Sequence, residues 1–301
     1  MWLENCYNYT VMIKKIVIII TCLALTITLC VINATKINTK QIKTRQEVIK
    51  SNKIIDNNDD ILIAYFSDLH YTNFIDDKFV EKAINKINNY DPDVVIFGGD
   101  LIDKYVIESI SSDNREFIVN SLKSLNAKYG KYAVFGNHDV DSSWTTDEIE
   151  QLLIESGFIV LKNDNVTLNI NNNNINIVGI NSLWYTEEFF NKAFANIDNN
   201  YYTLVVSHYG DLYDNIKNYN FDYMLAAHSH GGQIYFPLIS LFNRKEGCQK
   251  YYRGKYSKDG RTIDITNGVG RTRYNARFLA DSEIVIYRLT SNNPIKDANN
   301  N

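Results

Sequence analysis

The sequence predicts a mixed α/β protein: two β-sheets packed on each other with helices outside, preceded by one transmembrane helix. Three observations predict it. Short apolar runs recur along most of the chain, helix-period segments separate the first of them, and one long uncharged segment lies near the N-terminus. At 301 residues, with 45% hydrophobic and 13% aromatic residues, the chain can fill a substantial core.

The uncharged segment, Ile16 to Ile32, reads IVIIITCLALTITLCVI, 17 residues preceded by Lys14 and Lys15. At about 1.5 Å per residue it nearly spans the hydrocarbon of a bilayer. No small-x-small cleavage site follows it, and a core helix would show a polar face, so an uncleaved anchor is expected. Cys30 makes a poor lipid-attachment site, because Leu29 stands where a small residue is needed. Lys36, Lys40, Lys43, Arg45 and Lys50 follow the span, and by charge count the body of the chain is cytoplasmic. A short uncleaved anchor nevertheless resembles an export signal, which places the body outside. The reading taken forward is a single-pass membrane protein with an extracytoplasmic domain, the opposite orientation staying open.

The rest of the chain divides by composition. Residues 1–15 form a short N-terminal segment, and the Lys- and Asn-rich stretch within 33–60 has the composition of a polar tether. A compact domain is expected over 61–290, and a disordered tail over 291–301. Within the domain, ILIAYF (61–66), DVVIFGG (93–99), YAVFG (132–136), INIVGI (175–180), YTLVVS (202–207) and DYMLAA (222–227) read as strands buried on both faces. Residues 76–89 and 113–126 carry helix periodicity between the first three, the alternation of βαβ crossovers, and 145–156 looks like another helix. TIDITNGVG (262–270) and EIVIYRL (283–289) add strand signals, and the Asn run at 171–174 reads as a hairpin tip.

The net charge of −4, with both signs mixed along the chain, supplies no basic field for nucleic acid, so no nucleic-acid partner is expected. Cys6, Cys22 and Cys30 lie in or before the apolar segment and leave Cys248 alone in the body, which excludes a disulfide framework and a cysteine zinc cluster there.

Metal-capable side chains stand where the buried strands end. Asp68 and His70 follow the first run, Asp100 and Asp103 the second, Asn137, His138 and Asp139 the third, His208 the fifth, and His228 and His230 the sixth. Strand ends on one edge of a sheet converge. All five histidines of the chain occupy such positions, although a lone histidine is more often structural. Mixed carboxylates and imidazoles suit Zn, Mn or Fe. Seven candidate ligands exceed the need of a single ion, which favours two divalent ions sharing a carboxylate.

The motifs SDLH (67–70), GGDLID (98–103), GNHD (136–139), SHYG (207–210) and AHSHGG (227–232), in this order, resemble the calcineurin-like metallophosphoesterase superfamily. HSHGGQIYFP and NGVGRTRYNARFLADSEIVIYRL further resemble its bacterial membrane-anchored subgroup. The resemblance implies a four-layer αββα fold and a metal-dependent phosphodiesterase or phosphomonoesterase. It places Asp68, His70, Asp100 and His230 on one metal, and Asp100, Asn137, His208 and His228 on the other, with Asp100 as the bridge. A hydroxide activated between the ions would attack phosphorus. His138 would then stabilise developing charge or protonate the leaving oxygen, and Asp139 would orient it or serve structurally, as would Asp103.

Ala227, Ser229 and the missing proline after His208 depart from the family's habit, which bears on substrate shape and removes no ligand. Arg271, Arg273 and Arg277 form a late basic cluster, a candidate substrate-phosphate or head-group site or else a solvated surface. The anchor points to membrane-associated substrates such as phospholipid-like or nucleotide-linked lipid phosphoesters of the UDP-diacylglucosamine type. The rivals are a non-catalytic membrane-anchored metal-binding or scaffold module, a one-metal hydrolase, and a protein phosphatase or nuclease of the same superfamily.

Overall fold

The computed structural model describes residues 2–55, 59–72, 74–103, 107, 110–181, 186–237, 240 and 244–292, with side chains from residue 7 onward. The expected tail lies, from residue 293, outside the described residues.

Helix α1 (Trp2–Ile32) contains no glycine or proline, so the helix runs unbroken through the expected N-terminal segment as well as the apolar run. Its 31 residues extend about 46 Å at 1.5 Å each. It is long and apolar enough to cross a membrane, and its apolar window has no residue buried inside the protein.

From residue 33 to 55 the stretch expected as a polar tether is ordered, which corrects the sequence reading there. One π-helical turn (Asn33–Ile37) and one 3-10 turn (Asn38–Lys40) lead into strand β1 (Lys43–Ser51). An edge strand buries little, here Ile49 alone, so its composition matches that of a solvated linker. What orders it is a long-range partner, the strand Glu283–Ser291, with which it pairs in parallel over its full length.

One sheet contains β1, β2 (Ile61–Phe66), β3 (Val94–Phe97), β4 (Lys131–Ala133), β5 (Phe158–Val160) and β12 (Glu283–Ser291), in the order β1-β12-β2-β3-β4-β5. The second contains β6 (Asp164–Ile170), β7 (Asn173–Ile180), β8 (Tyr202–Ser207), β9 (Tyr223–Ala226), β10 (Gly254–Lys258) and β11 (Arg261–Ile265), in the order β10-β11-β9-β8-β7-β6. In the first, β2 to β5 are mutually parallel; in the second, β7, β8, β9 and β11 are. Asn171 and Asn172 join β6 to β7 with both φ angles positive, as a tight hairpin requires, so the Asn run is the hairpin tip.

Helices α2 (Asp77–Asn88), α3 (Ser112–Lys123) and α4 (Ser143–Glu155) pack against the outer face of the first sheet, and α5 (Glu187–Ala193) and α6 (Tyr213–Ile216) against that of the second. Asp76, Ser111, Ser142 and Thr186 each cap a helix by accepting a hydrogen bond from a backbone N–H three residues on. Between the sheets, Ile63, Tyr65 and Ile96 meet Ile177, Leu204 and Leu225, which gives four layers, αββα. One polar knot lies in that apolar layer. Asp264 on β11 accepts both guanidinium nitrogens of Arg45 on β1, at 2.8 and 2.9 Å, and the hydroxyls of Tyr223 and Tyr287. A buried carboxylate is tolerated when it is paired and hydrogen-bonded in this way.

Candidate metal centre

Because the central strands of each sheet are parallel, the loops leaving their C-terminal ends share one edge of the sandwich. Asp68 and His70 leave β2, Asp100 leaves β3, Asn137 follows β4, His208 follows β8, and His228 and His230 follow β9. Five of these seven side chains stand on residues with left-handed backbone: Asp68 (φ 54°), His70 (47°), Asp100 (60°), His228 (68°) and His230 (52°). Each such conformation costs on the order of 1–3 kcal/mol, and it persists only where surrounding packing enforces it. The enforcing contacts are visible: a Cβ on Gly99 would lie 2.2 Å from the Gly136 nitrogen, and one on Gly270 would lie 2.0 Å from the Leu69 carbonyl oxygen. Val269 and Gly270, from the second sheet's side, donate N–H bonds to the carbonyls of Ser67 and Asp68, stitching the two halves together.

All seven side chains converge on one site. The His70 and His230 Nε2 atoms lie 3.2 Å apart, and His230 Nε2 is 3.4 Å from Asp68 Oδ1. Asp100 Oδ2 lies 3.5 Å from His70 Nε2 and 3.2 Å from His208 Nε2. Asp68, His70 and His230 form one group able to hold a metal ion, and Asp100, His208 and His228 a second. Asn137 lines the same cavity as Asp100, His138, His228 and His230. Two imidazoles are oriented from behind: His208 Nδ1 lies 2.7 Å from the Gly98 carbonyl oxygen, and His228 Nε2 3.0 Å from that of Glu246. As donors to those carbonyls, the rings turn their other nitrogens toward the site.

The electrostatics of three of the four imidazoles agree with a ligand set. Burial pushes His70 down to about 3 and holds His228 and His230 well below the ordinary histidine range, so these rings are neutral with lone pairs available. Burial, reinforced by Asp100, pushes Asp68 up to about 6. His208 is also desolvated, yet the Asp100 carboxylate outweighs that effect and raises it to about 9. Both oxygens of Asp68, Asn137 Oδ1 and the Nδ1 atoms of His70 and His230 are buried without a hydrogen-bond partner among the described residues. An unsatisfied buried polar atom costs about 1–3 kcal/mol. The orphaned carboxylate and amide atoms, with the Nε2 atoms of His70, His208 and His230 beside the Asp68 and Asp100 carboxylates, fit divalent Zn, Mn or Fe.

Three expected roles change. Asp139, expected to orient His138, accepts from the backbone N–H groups of Asp100 (2.7 Å), Leu101 (2.9 Å) and Gly136 (2.7 Å), so it takes the structural role and braces the loop that carries Asp100. The carboxylate facing His138 is Asp103, whose Oδ1 lies 3.8 Å from His138 Nδ1. Arg277, expected at a substrate site, is fully buried and donates to the carbonyls of His230, Ala280, Asn267, Gly268 and Gly270. Arg271 likewise donates to the carbonyls of Thr39 and Phe74 and to Asn275 Oδ1. Both guanidinium groups are buried and give their terminal nitrogens to backbone carbonyls, so they hold the loops together and do not line the cavity. Of the three arginines, Arg273 alone lines the cavity.

Two residues escaped the sequence reading. Lys245 lines the cavity beside Arg273 and makes no ion pair among the described residues. Gln233 exchanges hydrogen bonds with Thr272 and donates to the Tyr274 carbonyl, fastening the segment that presents Arg273. Neither lies in a ligand-like spacing. A glutamine following the two glycines of AHSHGG was the available signal for the second.

Comparison with known proteins agrees with this geometry. The family model for calcineurin-like phosphoesterases matches residues 61–232, more than half of the chain. The chain is 28% identical over 253 residues to the uncharacterized metallophosphoesterase YkuE of Bacillus subtilis, covering 84% of this chain and 87% of that one. It is 26% identical over 280 residues to the UDP-2,3-diacylglucosamine pyrophosphatase LpxG of Chlamydia muridarum, covering 75% and 82%. It is 28% identical over 228 residues to the phosphodiesterase YaeI of Escherichia coli, covering 75% and 81%. With ligand-type side chains brought together where the family's motifs end, the chain belongs to the calcineurin-like phosphoesterase family and is a phosphoester hydrolase.

Proposed function

We propose that Asp68, His70, Asp100 and His230 hold one divalent ion and Asp100, Asn137, His208 and His228 a second, and that the chain uses them to hydrolyse membrane-associated phosphoesters. The observation that carries this reading is the position of Asp100, whose Oδ2 stands between His70 of one group and His208 of the other. Divalent ions in such a site lower the pKa of bound water and offset charge on phosphoryl oxygens.

The chain's own groups supply the rest. The backbone N–H of His138 donates to Asp100 Oδ1 at 2.8 Å and fixes that carboxylate. The His138 ring, on the cavity wall with Asp103 behind it, is the group proposed to protonate the leaving oxygen. Lys245 and Arg273 can orient the substrate anion at the mouth. Membrane-associated, lipid-linked substrates are supported by α1, read as a single-pass anchor with an extracytoplasmic domain, and by the substrate in the name of the LpxG relative. Protease accessibility on intact cells tests that orientation.

The reading is tested with the full-length chain in detergent, because cutting at residue 56 would strip β1 from its sheet. Hydrolysis of bis-p-nitrophenyl phosphate and p-nitrophenyl phosphate with Mn should fall about 10³-fold or more in Asp100→Asn. Elemental analysis should give two metal equivalents per chain. Equal rates for the two proteins would end the proposal of hydrolysis at this site, and a single equivalent would end that of the pair.

A further inference from the structure

The segment that leaves α1 is fastened to the loop beside the metal cluster. The Ala34 carbonyl accepts the Arg277 N–H at 2.9 Å, and Asn38 Nδ2 donates to the Arg277 carbonyl at 3.2 Å. The Thr39 carbonyl accepts from Arg271 at 2.7 Å, the Lys40 carbonyl from Lys82 at 2.6 Å, and Lys43 pairs with Asp281 at 2.6 Å. Arg277 donates in turn to the His230 carbonyl. One residue therefore touches both the exit of α1 and a candidate metal ligand, and the height of the site above the end of α1 is set by packed structure.

Around this junction lie apolar side chains that are exposed among the described residues. Beyond α1, nine large hydrophobic residues are exposed among the described ones, and four of them gather here: Ile37 (46%), Phe236 (45%), Tyr274 (66%) and Leu279 (55%). Tyr274 and Leu279 lie within three residues of Arg277. Phe236 stacks near Phe278, with ring centroids 5.2 Å apart, and the Tyr235 N–H donates to the Phe278 carbonyl. The Arg253 guanidinium lies 4.0 Å over the Tyr235 ring and donates to the Leu279 carbonyl. Aromatic rings interleaved with arginines next to the end of a membrane-length helix have the composition of a water–lipid interface belt. A cavity of about 170 Å³ runs inward from this rim, with Ile234 and Tyr274 on its wall as well as His230, Lys245 and Arg273.

We propose that residues 234–236 and 274–279 form a collar seated in the head-group layer of the leaflet that α1 leaves, so that the cavity opens on the bilayer surface. This rests on the reading of α1 as a membrane anchor. The partner is a lipid surface, which continues from the apolar face of α1 onto the collar. A phosphoester carried by a lipid in that leaflet then reaches the cluster without leaving the membrane, with Lys245 and Arg273 at the entrance to meet its charge.

The test uses the unmodified full-length chain in vesicles of phosphatidylethanolamine and phosphatidylglycerol containing a photoactivatable phosphatidylglycerol, with adducts mapped by mass spectrometry. Peptides containing 234–236 and 274–279 should be labelled about fivefold or more above peptides carrying the exposed Trp144, Ile154 and Ile159, which lie on or beside α4. Labelling of α1 with a collar no more labelled than those control peptides overturns the collar and leaves the anchor intact. Absence of label from α1 overturns the anchor reading, and the collar proposal falls with it.

Discussion

Two polar regions flank the same cavity and behave in opposite ways. The strand-end side chains, Asp68 to His230, converge with buried atoms left unsatisfied, whereas Arg271 and Arg277 give their terminal guanidinium nitrogens to backbone carbonyls. The first arrangement is costly without a partner from outside the chain, and the second is satisfied for the most part within it. The contrast teaches that charge near a site says little about its use. What decides is where the group's hydrogen bonds are spent.

The sharpest way to break that contrast is Arg277→Met, which removes a donor from five carbonyls, of which those of His230 and Gly268 keep a backbone N–H. A loss of about 3–5 kcal/mol is expected, seen as a melting temperature lower by about 10 °C or more. In metal-free Asp100→Asn the shift should stay under about 4 °C, because the amide keeps the volume and can still accept from the His138 N–H. If Arg277→Met melts like the wild type and instead raises KM, the arginine belongs with the substrate after all.

His138→Ala probes the cluster side. Activity should fall about 10²–10³-fold with the metal content unchanged, since the role proposed for it is proton donation. Metal loss measured by elemental analysis would make His138 a ligand, an outcome its position within one group with His70 and Asp100 permits. Lys245→Met should act more weakly, with KM raised about tenfold while kcat changes less, as expected for a cation that meets the substrate anion. A kcat loss larger than the KM change would assign Lys245 to the reaction itself.

The smallest effect is expected far from the cavity, where Glu47 on β1 pairs with Lys255 of β10 and with Arg45. Burial raises the Glu47 carboxyl, but hydrogen bonds from Lys255 and Arg45 outweigh it and hold the group below the ordinary range. A carboxyl depressed on folding stabilises above its unfolded pKa, near 4.3, and that contribution fades as pH falls through the folded value. Glu47→Gln should therefore cost about 0.5–1 kcal/mol at pH 7, and the difference in melting temperature should shrink toward zero by about pH 3. A constant difference across that range would remove ionisation from the explanation.

Much of this architecture was legible in the chain. Strands β2, β3, β8 and β9 are almost wholly buried, and their apolar runs announce them. β5 and β10 escaped because short edge strands with one or both faces exposed read as loops, and β1 was taken for a tether for the same reason. The ligand candidates were legible because aspartate, asparagine and histidine at the ends of buried strands have few bland explanations when all five histidines share that position.

The sequence by itself determined the buried strands, the membrane-length helix and the kinds of side chain gathered at one sheet edge, since each follows from local pattern and residue chemistry. Only the tertiary structure decided that Asp139 braces a loop, that Arg271 and Arg277 hold carbonyls, that Lys245 lines the cavity, and that the segment after α1 is locked to the site. Those roles depend on which distant backbone or side chain lies within about 3 Å of a polar atom, and that proximity is created by strand pairing and loop packing between residues remote in the chain.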